Sequence, residues 1–294
     1  MPVPYSAEKD DLYFPAKRAV FFPHGRPRSD AALCVELARL AYCRLDISFA
    51  FDRDRIRKVL GRIQFTDCKF FETSSEPNGG GSHALLALDG DNKLAFLSFR
   101  GTDKNDPTDL ADDLNALPQP WQTGGKVHCG FAKALRDVWP EIAAALQQIK
   151  DYRVLFTGHS LGAAMATLAS SLQKPKSLYT IGSPRVGDQA FVDTLRGVDN
   201  HRYVDCCDLV TRVPPEKILG LKCYAHIPGK IHYIDFDRAV RELDPDDPVI
   251  EKDRTKAEVD YLESYAWRIG DVALRPLADH APVNYVLPVT AATP

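Results

Sequence analysis

Residues 153–172, RVLFTGHSLGAAMATLASSL, set a short apolar run directly against a stretch of small residues, with only a Gly-His-Ser-Leu-Gly turn between them. An apolar run of this length bounded by glycine reads as a buried strand, and the Ala-rich segment after it reads as a helix. A strand that passes into a helix through so short a turn forces the two backbones close together. Gly158 and Gly162, two residues either side of Ser160, remove the Cβ atoms that would obstruct that approach. The same pattern continues downstream. SLYTIG reads as a strand, DQAFVDTLRG as a helix and HRYVDC as a strand. Strands alternating with helices specify βαβ units, so the chain is predicted to be an α/β protein with a mostly parallel central sheet flanked by helices.

The flanking sequence extends this frame. Ser29 and Asp30 precede Leu33, Leu37, Leu40 and Ala41 at helical spacing, and Asp54 to Arg62 reads as a shorter helix with Ile56, Val59 and Leu60 turned inward. In HALLALDGDNKLAFLSF two apolar runs flank Asp-Gly-Asp-Asn, a hairpin signal. Val127 to Ile149 is expected to be a helix interrupted or restarted near Pro140, and CYAHIPG with IHYIDFD a later hairpin near the sheet edge. The charged run 238–256 is expected to be a solvated loop or helix face. Residues 1–28, with five prolines, are expected to form an extended arm packed through Phe14, Phe21 and Phe22, and residues 29–294 a single domain.

Composition narrows the functional classes. A formal net charge of −3 and a pI near 6.2 give no electrostatic footprint for nucleic acid or for an anionic membrane surface. The opening MPVPYSAEKDDLYF lacks the apolar core of a secretory signal, so the expectation is a cytoplasmic protein, or one exported without a classical signal peptide. The seven cysteines show no CxxC pattern and are expected to be reduced. Oligomeric state is left open.

Ser160 has two readings. One is a helix N-cap; the other is a nucleophile, lifted above the sheet by the strained turn. A nucleophilic serine needs a general base, a carboxylate to orient it, and donors for an oxyanion. One donor is the backbone N–H of Leu161, the residue after the serine. An aspartate following HRYVDCC would sit at the carboxyl end of the sheet, which suits Asp208, with Asp205 as the rival. His226, His232 and His280 come after Asp208. The first two fall in apparent strands, and His280 lies in a turn, ADHAPVNY.

SFRGTD (98–103), VHCGF (127–131), GHSLGAA (158–164), GSPRVGD (182–188) and DLVTRVPP (208–215) occur in that order. Together they resemble the class 3 lipase family, the fungal-lipase-like branch of the α/β-hydrolases. The resemblance is densest from Ala95 to Pro215. It implies the α/β-hydrolase fold, Asp208 as the triad acid, His280 as the base with His232 second, and Thr102 as the other oxyanion donor. It also implies supporting roles for Arg100 and His128, and a lid over residues 103–120. In that segment Leu110, Leu114 and Leu117 recur among four aspartates, which suits a polar lid with transient lipid-interface contact.

The function implied is a serine carboxylic-ester hydrolase, a lipase or esterase that forms an acyl-enzyme on lipid-like or short-to-medium acyl esters. The alternatives are a phospholipase or acyltransferase using the same triad, or an inactive hydrolase fold serving as a binding module. No cofactor and no metal are expected. His226, His232, Asp235 and Asp237 could be grouped as a metal cluster, but placement on strands accounts for them more simply.

Overall fold

The computed structural model describes residues 3–17, 20–45, 49–73, 81–102, 118–218 and 220–293. Three helices come first, α1 (Lys9–Tyr13), α2 (Asp30–Leu40) and α3 (Arg53–Arg62), and then strands β1 (Asp67–Glu72), β2 (His83–Asp89) and β3 (Leu94–Phe99). A small ribbon, β4 (Pro118–Pro120) with β5 (Lys126–His128), leads into α4 (Cys129–Gln147). The alternating section is β6 (Arg153–His159), α5 (Leu161–Leu172), β7 (Ser177–Ile181), α6 (Gln189–Asp193) and β8 (Asp199–Asp205). The two-residue strands β9 (Lys217–Ile218) and β10 (Leu221–Lys222) come next, then β11 (Ile231–Ile234), β12 (Val240–Leu243), α7 (Pro248–Ser264), α8 (Arg275–Ala278) and α9 (Pro282–Ala292).

The central sheet has eight strands in the order β1-β2-β3-β6-β7-β8-β11-β12. β3, β6, β7, β8 and β11 run parallel, while β1, β2 and β12 pair antiparallel at the two edges. Its strands carry apolar residues on both faces, as a sheet covered on both sides requires. Leu85, Phe96, Leu155 and Tyr179 join the core beneath α2, α3 and α9. Their neighbours Leu86, Leu97, Phe156 and Leu178 join the core beneath α4 and α5. Each large side chain so buried contributes about 1.5–3 kcal/mol. Buried hydroxyls pin α2 to the sheet: Ser98 Oγ donates to Leu37 O at 3.0 Å, and Thr157 Oγ to Cys34 O at 3.3 Å.

Local signals explain the helix starts. Ser29 Oγ accepts from Ala32 N–H at 3.1 Å at the head of α2, and Asp52 Oδ1 accepts from Arg55 N–H at 3.1 Å at the head of α3. Three expectations are corrected. α4 runs unbroken through Pro140, because Phe131, Leu135, Val138, Ile142 and Leu146 bury one continuous face on either side of it. Val127 and His128 belong to β5, not to that helix. The late hairpin pairs β11 with β12, drawn from the charged run, and CYAHIPG contributes only an isolated bridge between Ala225 and Gly187.

Parallel register brings the carboxyl ends of the inner strands to one edge. Phe99 is level with Gly158, His159 with Ile181, and Ile181 with Tyr203. The turns and loops that leave these strands therefore gather at that edge. Of the segment read as a lid, residues 103–117 lie outside the described residues. No helix among the described residues is long and apolar enough to cross a membrane.

Candidate active site

β6 ends at His159, and Ser160 turns the chain into α5 with φ 59° and ψ −127°. A positive φ is costly for a residue with a Cβ, so this conformation is held by its surroundings. Ser160 N–H donates to Ile181 O on β7 at 3.0 Å, and its carbonyl accepts from Ala163 and Ala164 at 2.9 and 3.2 Å. The glycines act as the sequence requires. A Cβ on Gly158 would lie 2.4 Å from the Gly162 carbonyl, and one on Gly162 would lie 2.1 Å from Phe99 O. The helix thus sits directly on the end of β3. Ser160 has no side-chain cap bond, which removes the N-cap reading.

Asp208 and His280 meet although 72 residues separate them. His280 Nδ1 lies 2.9 Å from Asp208 Oδ2. An ionised carboxylate only accepts, so Nδ1 carries the proton and Nε2 is left as the basic nitrogen. Asp208 is wholly buried and well supplied with donors: Val210 N–H to Oδ1 at 2.8 Å, and the Tyr285 hydroxyl to Oδ2. Gly182 makes room for the pair. A Cβ there would stand 2.8 Å from Asp208 Oδ2 and 3.1 Å from His280 Nδ1.

His159 ties this pair to the serine turn. Its Nε2 is 2.8 Å from the His280 carbonyl and its Nδ1 2.8 Å from the Tyr42 hydroxyl, so Nε2 donates and Nδ1 accepts. The two imidazoles lie with centroids 4.4 Å apart. Burial first, and then the nearby His280, hold the His159 pKa well below the usual histidine range, so it is a neutral spacer. Tyr42 in turn packs on the loop after β3, where a Cβ on Gly101 would fall 2.0 Å from its hydroxyl. Thr102 comes after that glycine, half-buried, and Leu161 is the first residue of α5. Among the described residues no hydrogen bond joins Ser160 Oγ to the His280 ring.

The rival residues are engaged elsewhere. Asp205 accepts two bonds from Arg238 Nη1, at 2.8 and 2.9 Å. His232 stacks on Tyr203 and lies 3.1 Å from His201, and His226 Nε2 is 2.8 Å from Thr211 O. Asp235 holds Arg241, and Asp237 faces Lys256 at 3.8 Å, so these four do not form a metal set. Cys206 Sγ, Cys207 Sγ and an Asp279 oxygen fall within 4.8 Å of one another, but Tyr5, Arg275 and Cys207 N–H already hold that carboxylate. All seven cysteines are unpaired thiols. Arg100 lies over the Phe51 ring and His128 against Phe131, both buried.

Sequence reasoning missed Gly182, Tyr42 and His159, and also the clasp that positions the His280 loop. Asn284 holds Ser6 through Ser6 N–H to Oδ1 at 2.9 Å and Nδ2 to Ser6 O at 2.8 Å, while Tyr5 donates to Asp279 at 2.8 Å. A Gly-Ser-Pro following an inner strand was the one available signal, for Gly182.

Two buried histidines, His83 and His159, and the half-buried His226 predict the acid behaviour of the fold. Burial and then Arg100 bring His83 down to about 4, and burial holds His159 and His226 well below normal. Unfolded histidines titrate near about 6.5. As pH falls below that value the unfolded chain takes up protons that the native chain refuses. Stability is therefore fully present above pH 6.5 and lost towards pH 4, with His83 alone accounting for roughly 3 kcal/mol. Urea midpoints at pH 7, 5.5 and 4.5 should fall steadily, and His83→Gln should flatten the fall; a midpoint independent of pH would contradict this.

Parts of the chain are similar to known proteins. A model of the family "Lipase (class 3)" matches residues 96–218, from β3 to β9. The lipase of Rhizomucor miehei is 33% identical over 151 residues, covering 46% of this chain and 41% of its own. Secreted mono- and diacylglycerol lipase 1 of Fusarium solani is 40% identical over 102 residues, 31% of either chain. The chain thus spans less than half the length of these curated relatives. A solved triacylglycerol lipase, whose catalytic centre is formed by a serine protease triad, superposes with a TM-score of 0.52 at 26% identity, covering 71% of this chain and 82% of its own. The sheet order and the strand-turn-helix at Ser160 are those of an α/β-hydrolase, and residues 96–218 of the chain match the class 3 lipase family.

Proposed function

We propose that this protein is a serine carboxylic-ester hydrolase with Ser160 as nucleophile, His280 as base and Asp208 as the acid that orients it. The observation that carries the reading is the buried Asp208–His280 pair, standing at the same sheet edge as a serine held at positive φ. Nε2 of His280 takes the Ser160 proton as Oγ attacks the ester carbonyl. The buried Asp208 carboxylate, fixed by Val210 and Tyr285, stabilises the imidazolium that forms. The backbone N–H of Leu161, at the positive end of α5, and that of Thr102 receive the oxyanion; one such donor is worth about 3 kcal/mol. The alcohol leaves with the proton from His280. Water, activated by the same nitrogen, then releases the acid from the acyl-enzyme.

The relatives named above are lipases, one for mono- and diacylglycerol and one for triacylglycerol, which supports an acyl ester of lipid type as the substrate. The Fusarium enzyme is secreted, which favours the exported of the two locations the sequence leaves open. Hydrolysis of p-nitrophenyl esters from acetate to palmitate should show one optimum of chain length. Fatty-acid release from diacylglycerol should exceed release from phosphatidylcholine. A flat profile, or release from phosphatidylcholine alone, would overturn the substrate assignment in favour of a phospholipase.

A further inference from the structure

Beside the proposed active site lies a cavity of about 680 Å³, bounded by β8, residues 211–216 and 222–228, the start of β11 and the first turns of α7. Its floor is apolar, from Val204, Ile231 and Ile250. Five cations line its walls, Arg185, Arg202, Arg212, Lys222 and Arg254, against two carboxylates, Glu216 and Asp246, both exposed at the rim.

Arg202 is the telling member. It is only 7% exposed, it lines the cavity, and its guanidinium has neither a hydrogen bond nor an ion pair among the described residues. Burial and then the charge of Arg185 draw its pKa down to about 10, which still leaves it protonated at neutral pH. A buried guanidinium without a partner is costly, and natural proteins pair such groups with an anion. The neighbouring cations have other anchors or none. Arg185 braces the loop through the carbonyls of Arg212 and Pro214 and lies 3.5 Å from Glu216, and Arg254 Nε donates to Cys206 O at 2.8 Å. Arg212 and Lys222 have no carboxylate partner among the described residues.

We infer that this cavity is a binding site for a phosphate group carried on an organic molecule, with Arg202 at its base and Arg212 and Lys222 closing over it. A phosphate monoester carries close to two negative charges at neutral pH and accepts paired bonds from guanidinium groups. It matches the excess of positive charge better than a carboxylate, and the apolar floor receives the carbon portion. The phosphate can come from a soluble ester or from a lipid headgroup. The cavity shares a wall with the acid loop, since Thr211 lines it and donates to the Asp208 carbonyl at 2.8 Å.

The test is calorimetric titration of the full chain with sn-glycerol 3-phosphate and with inorganic phosphate, against acetate and chloride at equal ionic strength. Sedimentation with phosphatidic acid vesicles is compared with phosphatidylcholine vesicles. Arg202→Gln, and separately the exposed pair Arg212→Gln with Lys222→Gln, should each weaken binding at least roughly tenfold, the loss expected for a charge-assisted bond. Thermal melting checks that each variant is folded, and the surface pair keeps the test decisive if Arg202→Gln is not. Saturable binding of soluble phosphate that both variants weaken supports the site with a soluble ligand. Variant-sensitive co-sedimentation with phosphatidic acid alone supports it with a lipid headgroup. Soluble phosphate bound no better than acetate together with no variant-sensitive co-sedimentation with phosphatidic acid, or equal binding by wild type and variants, overturns it.

Discussion

Ser160→Ala should lower kcat for ester hydrolysis by roughly 10⁴-fold or more while leaving the thermal midpoint unchanged or raised. The size reflects the serine's part in the proposed mechanism: without Oγ no acyl-enzyme forms, and only the oxyanion donors and substrate binding remain. The sign of the stability effect comes from the turn, where the side chain makes no capping bond and serves no local backbone group. His280→Ala should fall nearly as far. The double variant should be little worse than either single one, because residues that act as a unit lose activity together. Additive losses would mean that His280 does not serve Ser160. Initial rates on p-nitrophenyl butyrate, with melting curves on the same samples, measure all of this.

Gly162→Ala should destabilise the protein by about 3 kcal/mol or more, the upper end for overpacking, because the atoms in the way cannot swing aside. The added methyl would sit 2.1 Å from Phe99 O and 2.7 Å from Phe99 C, both backbone atoms of the central sheet. Either α5 lifts off β3, carrying Leu161 N–H and Ser160 with it, or the strand shifts. Gly61→Ala is the internal comparison. It lies in α3 with nothing within 4 Å of the added carbon, and helix propensity predicts a gain of roughly 0.5–1 kcal/mol there. Equal melting temperatures for the two variants would contradict the close-packing account of the turn.

Features that depend on neighbours along the chain were legible in the sequence. The helix 161–172 is bounded by a glycine-flanked turn and a run of small residues, and it forms over those positions. Ser29 caps α2 for the local reason that its hydroxyl reaches Ala32 N–H. That Asp208 and His280 would meet was legible because one comes after an inner strand and both fall in blocks or loops typical of a family, not because anything local pairs them. The misses share a different cause. Pro140 disfavours a helix interior locally, but the apolar face it interrupts is held by the core between α4, α5 and the sheet, which sequence periodicity does not weigh. Val240–Leu243 is charged enough to read as a loop, yet it is an edge strand with one neighbour, where charge is well tolerated. Tyr42, Gly182 and the Ser6–Asn284 clasp act across 117, 98 and 278 residues of chain at most, and such contacts leave no periodic mark.

The central claim is that Ser160 is a nucleophile activated by His280. The most direct measurement is reaction of the native protein with a fluorophosphonate probe, followed by peptide mass spectrometry. One adduct per chain on Ser160, absent in Ser160→Ala and formed far more slowly in His280→Ala, is the predicted result. A folded native protein that takes no label, or takes it on another serine, would contradict the account.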